Sequence, residues 1–150
     1  MKVLLQRVSR VSVTVSEKVV SETGPGLLAL IGFGREDTDK DLEWMSRKIL
    51  GLRIFPDSSD NMNLSISDLN GELMIVSQFT LHADSGKGRR PSFIDAASPG
   101  KAELLYDLFI EMLKHSGLTI QSGIFGAMMS VELVNSGPVT IMIESPSERK

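Results

Sequence analysis

The clearest pattern along the chain is a strict alternation near its start. Val11, Val13 and Val15 are set against Ser12, Thr14 and Ser16. A period of two predicts a half-exposed strand. The valine-rich stretches Val3 to Val8 and Val11 to Val20 are therefore read as strands, with Ser16-Glu17-Lys18 as a hairpin turn. Two later runs, Leu27 to Ile31 and Leu73-Met74-Ile75-Val76, are apolar at every position. Runs of that length predict strands buried on both faces. Gly32-Phe33-Gly34 ends the first run without the spacing of a phosphate-binding loop, so its glycines are read as accommodating the backbone.

A helical period takes over twice. Leu42, Met45, Ile49 and Leu52 form one stripe behind the acidic opening Asp37-Thr38-Asp39. Trp44 lies just off that stripe and is read as a packing residue. Ser98-Pro99 opens a second helix, with Leu104, Leu105, Leu108, Phe109, Met112 and Leu113 as its apolar face and Gly117 as its end. Arg53-Ile54-Phe55 and Asn63 to Ile66 are read as short extended pieces, and Asp68-Leu69-Asn70-Gly71 as a tight hairpin into the run at Leu73. Thr119 to Gln121, Met128 to Val134 and Val139 to Ile143 complete the strands, and Ser147 to Lys150 is read as a frayed tail. Strands interrupted by two helices at long intervals predict an α+β fold: a largely antiparallel sheet or barrel covered by two main helices.

The chemistry gathers where the central strand ends, at Ser77-Gln78-Phe79-Thr80-Leu81-His82. Hydroxyls and an amide at the end of a buried strand need partners. As a catalytic set the cluster is incomplete. On a strand, Ser77 and His82 fall on opposite faces, whereas Thr80 and His82 share one. His115 sits near a helix end, and no triad emerges. Asn135-Ser136-Gly137-Pro138 reads by composition as a β-turn. A cis Gly-Pro bond there would aim neighbouring carbonyls in one direction. Arg7, among apolar neighbours, is by residue type a surface arginine covering apolar area; alternatively it fixes backbone carbonyls or an anion near a site. Lys87, Arg89 and Arg90 stand in the small-residue segment after His82, and are either solubilising charges or phosphate contacts.

Ser77-Gln78-Phe79-Thr80-Leu81 and Asn135-Ser136-Gly137-Pro138-Val139-Thr140 resemble the two signature motifs of the D-aminoacyl-tRNA deacylases. The resemblance extends in order through Gln6 to Arg10, Gly24 to Leu28, Leu52 to Phe55, Met62 to Ser65 and Gly88 to Phe93. His82 stands where that family more often has tyrosine. The resemblance implies a homodimer that hydrolyses the ester between a D-amino acid and the terminal adenosine of tRNA, and the glycyl ester on tRNA for alanine. It implies a cis Gly137-Pro138 bond that reaches the partner's pocket, where its carbonyls reject an L side chain. Ser77, Gln78, Phe79 and Thr80 would carry the reaction, with the N–H groups of Phe79 and Thr80 facing the oxyanion. Phe125, Gly126 and Ala127 would shape the adenosine side, and Arg7 and Met129 would hold the proline loop. Two other functions stay open: a dimeric module that binds an RNA end, and a small-ester hydrolase using Thr80 as nucleophile.

Composition narrows this further. The chain has 150 residues with 41% hydrophobic, enough for one domain with its own core. It has no cysteine and two histidines, so a thiolate zinc site is excluded and no metal or other cofactor is expected. The start is too quickly polar for a signal peptide and no apolar run approaches a membrane span, so a soluble cytoplasmic protein is expected. A net charge of -3 argues against broad coating of nucleic acid, but leaves room for a local basic patch.

Overall fold

The computed structural model describes residues 1–146, so the expected frayed tail lies outside the described residues. Strand β1 (Lys2–Val15) runs through both valine-rich segments without a break. Ser16 and Glu17, both at positive φ (48° and 66°), turn it into β2 (Lys18–Thr23). Lys18 already pairs with Val15, so the hairpin loop is two residues long. Strand β3 (Gly26–Gly32) returns antiparallel to the first half of β1. Helix α1 (Asp39–Gly51) follows, its first turn closed by Asp41, whose carboxylate accepts from the Thr38 N–H at 2.8 Å. Then come β4 (Phe55–Pro56), β5 (Met62–Leu64), the one-turn helix α2 (Ile66–Leu69) and the central strand β6 (Glu72–Ser77).

The expected tight hairpin at Asn70-Gly71 is corrected. Asn70 (φ 49°, ψ 42°) is the left-handed cap of α2, and Gly71 N–H closes onto the Ile66 carbonyl at 3.1 Å. An Asn-Gly pair serves a helix C-terminus as readily as a hairpin. Strand β6 then lies parallel to β3 and to β7 (Ile120–Ser122), while β1 is antiparallel to β2, β3 and β8 (Ser130–Glu144). The sheet is thus mixed and nearly closed. Its ends meet where Ser21 Oγ donates to the Ser122 carbonyl at 2.8 Å.

Both faces of β3 and β6 are covered, which is why their sequences do not alternate. Leu27, Ala29, Ile31, Leu73 and Ile75 face the helices α1 and α3 (Pro99–Lys114), while Leu28, Met74 and Val76 face the barrel interior with Val8, Val11 and Val13. Helix α1 buries Leu42, Met45 and Ile49 as its stripe predicts. Trp44 is half-buried, with the Lys48 ammonium 5.9 Å from its ring centre. The apolar face of α3 is corrected: Leu104 and Leu108 are exposed, and Ala102, Leu105, Tyr106, Phe109 and Leu113 fill the core. Tyr106 reaches the inside because its hydroxyl finds the Ile75 carbonyl at 3.0 Å.

The last two expected strands and the turn between them form the single strand β8. Its register against β1 jumps from Gln6↔Thr140 to Val8↔Asn135. Two steps along one strand match five along the other, so three extra residues of β8 swing out opposite Arg7.

Candidate active site

The central strand delivers its last residues to the floor of an apolar cleft of about 650 Å³. Ser77, Gln78 and Phe79 line it, with Ile31, Val76 and Phe93 beside them. Phe125, Gly126, Ala127 and Met129 form the wall between β7 and β8. No acidic, basic or histidine side chain lines this cleft among the described residues. The aromatic rim is held by packing: Phe79 and Phe93 meet edge to face at 5.1 Å, and Phe125 tilts against Tyr106 at 5.6 Å. Burial pushes the Tyr106 phenol up to about 12, so it stays a neutral donor beneath the floor.

Residues Phe79 to His82 form a 3₁₀ turn, which corrects the strand geometry expected there. Gln78 ends the strand instead, its N–H held by the Ile31 carbonyl at 2.6 Å. In the turn, Thr80 and His82 no longer share a face. Gln78 Nε2 donates to Thr80 Oγ1 at 2.5 Å. An amide is no general base, so nothing in this pair withdraws the Thr80 proton. The N–H groups of Phe79 and Thr80 open the turn, where no preceding turn supplies them an acceptor.

The His82 ring lies away from the cleft, over Gly32 and Gly34. A Cβ on Gly32 would stand 3.0 Å from His82 Cδ2 and 2.9 Å from the Gln78 carbonyl; one on Gly34 would stand 3.3 Å from His82 Cε1. Gly32, the last residue of β3, and Gly34 just beyond it therefore make room for the turn that carries Thr80. His82 Nε2 is buried without a hydrogen-bond partner among the described residues, and the imidazole borders a separate concavity with Asp37, Asp41 and Trp44.

Gly137 and Pro138 are exposed and do not line the cleft of their own chain. Their peptide bond is cis, and Gly137 sits at φ 143°. Arg7 spans from this excursion to the body of the protein. Its Nε donates to the Ser136 carbonyl at 2.8 Å and its Nη1 to the Ile54 carbonyl at 2.8 Å. The excursion is pinched at its base by Asn135, which accepts from Val139 N–H at 2.7 Å and donates to the Val139 carbonyl at 3.1 Å and to Thr140 Oγ1 at 3.0 Å. Gln6 reaches the same hydroxyl at 3.3 Å. Sequence reasoning assigned Asn135, Thr140 and Gln6 no role. The visible signal was an Asn and a Thr bracketing Gly-Pro, each able to satisfy a loop's backbone. Met129 lies on the cleft wall, its sulfur 2.6 Å from where a Cβ on Gly123 would be. Among the described residues no group of three or more His, Asp or Glu side chains is arranged to hold a metal.

This arrangement has close counterparts. The chain is 52% identical over 149 residues to the D-aminoacyl-tRNA deacylase of Listeria monocytogenes serotype 4a, covering 99% of each chain. It is 53% identical over 144 residues to that of Exiguobacterium sp. strain AT1b, covering 96% of this chain and 98% of the relative. A solved structure described as "c-Myc DNA Unwinding Element Binding Protein" superposes with a TM-score of 0.93 at 45% identity, over 98% of this chain and all (100%) of that one. The model of the family described as D-Tyr-tRNA(Tyr) deacylase matches residues 4–144, and with that coverage and these identities the chain belongs to that family of hydrolases.

Proposed function

We propose that the chain hydrolyses the ester joining a D-amino acid to the 3′-terminal adenosine of tRNA, and the achiral glycyl ester on tRNA for alanine, acting in the cytoplasm as a homodimer. The observation that carries this is an apolar cleft that ends on Ser77, Gln78 and Phe79 and, among the described residues, offers polar donors but no ionisable group. Such a site positions an ester and stabilises charge without supplying an acid or base. Water adds to the ester carbonyl carbon, the oxyanion is met by the Phe79 and Thr80 N–H groups, the acyl–oxygen bond breaks, and the ribose 3′-oxygen takes up a proton. The 2′-hydroxyl beside the ester orients the water. The Gln78–Thr80 hydrogen bond, with no base behind it, supports this over attack by the Thr80 hydroxyl.

The proline loop completes the site in trans. Gly137 and Pro138 do not line their own cleft, which supports their serving the partner's. There the carbonyls of the loop face the α-carbon of the substrate, so that an L side chain collides and a D side chain points away. Arg7 fixes the loop through Ser136.

Release of free D-tyrosine from D-tyrosyl-tRNA tests the activity. No release would leave an RNA-end binding module. Thr80→Ala separates the mechanisms: near-normal turnover removes the nucleophile, while loss of turnover with binding retained supports it. A substrate lacking the 2′-hydroxyl makes the converse test, and undiminished cleavage would end the 2′-hydroxyl mechanism. Cleavage of small esters lacking adenosine would favour the small-ester hydrolase.

A further inference from the structure

Next to the cleft is a charged feature the reaction does not use. The Asp84 and Ser92 backbones exchange two hydrogen bonds, each of 2.8 Å, which close the seven-residue loop 85–91. The loop carries Lys87, Arg89 and Arg90, all exposed. None pairs with a carboxylate among the described residues; the one acid at the root, Asp84, accepts the Gly86 N–H at 2.8 Å. Three cations and one acid give residues 84–93 a net charge of +2, in a chain of net charge -3. Phe93, directly after the root, lines the cleft and packs on Phe79. The charges are therefore tethered beside the site rather than scattered over the surface.

We infer that Lys87, Arg89 and Arg90 hold the phosphodiester backbone of the few nucleotides that precede the terminal adenosine. The assignment rests on the substrate proposed above. A closed seven-residue loop can reach at most about 12 Å from its root, half its contour at about 3.3 Å per residue. With a rise of about 3.4 Å per nucleotide along a stacked strand, that reach covers about three phosphates. The contacts are to backbone, so the loop adds affinity for any tRNA end and no preference for base sequence.

The test compares the wild-type protein with Lys87→Gln/Arg89→Gln/Arg90→Gln on two substrates, D-tyrosyl-tRNA and 3′-D-tyrosyl-adenosine, which has no phosphate. The expected result is a fall in the ratio of kcat/KM on the tRNA to kcat/KM on the adenosine ester. Three lost contacts at about 0.7 in log–log salt slope each make the slope on tRNA shallower by about 2. The wild-type advantage then shrinks about 20-fold between roughly 50 and 200 mM salt. Equal salt slopes for the two proteins, or equal losses on both substrates, would overturn the assignment. Absence of wild-type cleavage on both substrates would instead refute the proposed activity, and binding of uncharged tRNA with the same slope difference would still support the loop.

Discussion

Arg7→Ala isolates the support of the proline loop. Arg7 has no carboxylate partner among the described residues; it is held by two carbonyls, each 2.8 Å away. The bond to Ile54 is partly buried and the bond to Ser136 is exposed. Charge-assisted hydrogen bonds contribute about 2 kcal/mol where solvent is partly excluded and about 1 where it is not, so the pair is worth about 3 kcal/mol. For a chain of this size each kcal/mol moves Tm by roughly 2–4 °C, which gives a fall of about 6–12 °C by differential scanning calorimetry. Arg7→Lys offers a single point donor in place of a planar fork, and about half of that loss is expected. If the loop rejects L substrates, losing its tie at Ser136, about 1 kcal/mol, lowers the D-over-L ratio of kcat/KM about 5-fold. That ratio is read from release of D- and L-tyrosine from the matching charged tRNAs. An Arg7→Ala protein with wild-type Tm and wild-type discrimination would refute the reasoning.

Three further outcomes follow from the same geometry. Gly32→Ala puts a Cβ 2.9 Å from the Gln78 carbonyl and 3.0 Å from His82, and such overpacking costs about 1–3 kcal/mol; Tm and turnover should fall together, and unchanged melting would show that the turn has slack. Because no ionisable side chain among the described residues lines the cleft, the pH profile of kcat should show no bell between roughly pH 6 and 8; limbs in that range would point to an acid or base elsewhere. Burial raises the Asp41 carboxyl, but hydrogen bonds from Ser145 and Thr38 and the Met1 ammonium together hold it below the usual aspartate range. A lowered folded-state value contributes stability above the unfolded-state value and loses it as pH falls through the folded one. Asp41→Asn should therefore lower Tm near neutrality and flatten its fall in acid; parallel Tm curves for the two proteins would contradict this.

The hydrophobic pattern by itself determined most elements. Continuous apolar runs at Leu27 and Leu73 marked the doubly covered strands β3 and β6, and the stripe of α1 named its buried face. It also set off the polar cluster at Ser77, where an apolar strand ends, whereas the Asn135 to Thr140 segment read by composition only as a turn and stood out through its resemblance to a family motif. It failed where one signal serves two geometries. Asn70-Gly71 caps a helix here and makes hairpins elsewhere, and only the packing of β6 parallel to β3 chose between them. A leucine at helical spacing is buried only if something lies opposite, which is why Leu104 and Leu108 are exposed while Tyr106, with a carbonyl to bond, is inside. The hydrogen bonds from Arg7 to Ile54 and Ser136 and the packing of His82 against Gly32 and Gly34 join residues distant along the chain. Local periodicity carries no information about such contacts; they are decided by strand register, and the three-residue excursion of β8 sets that register opposite Arg7.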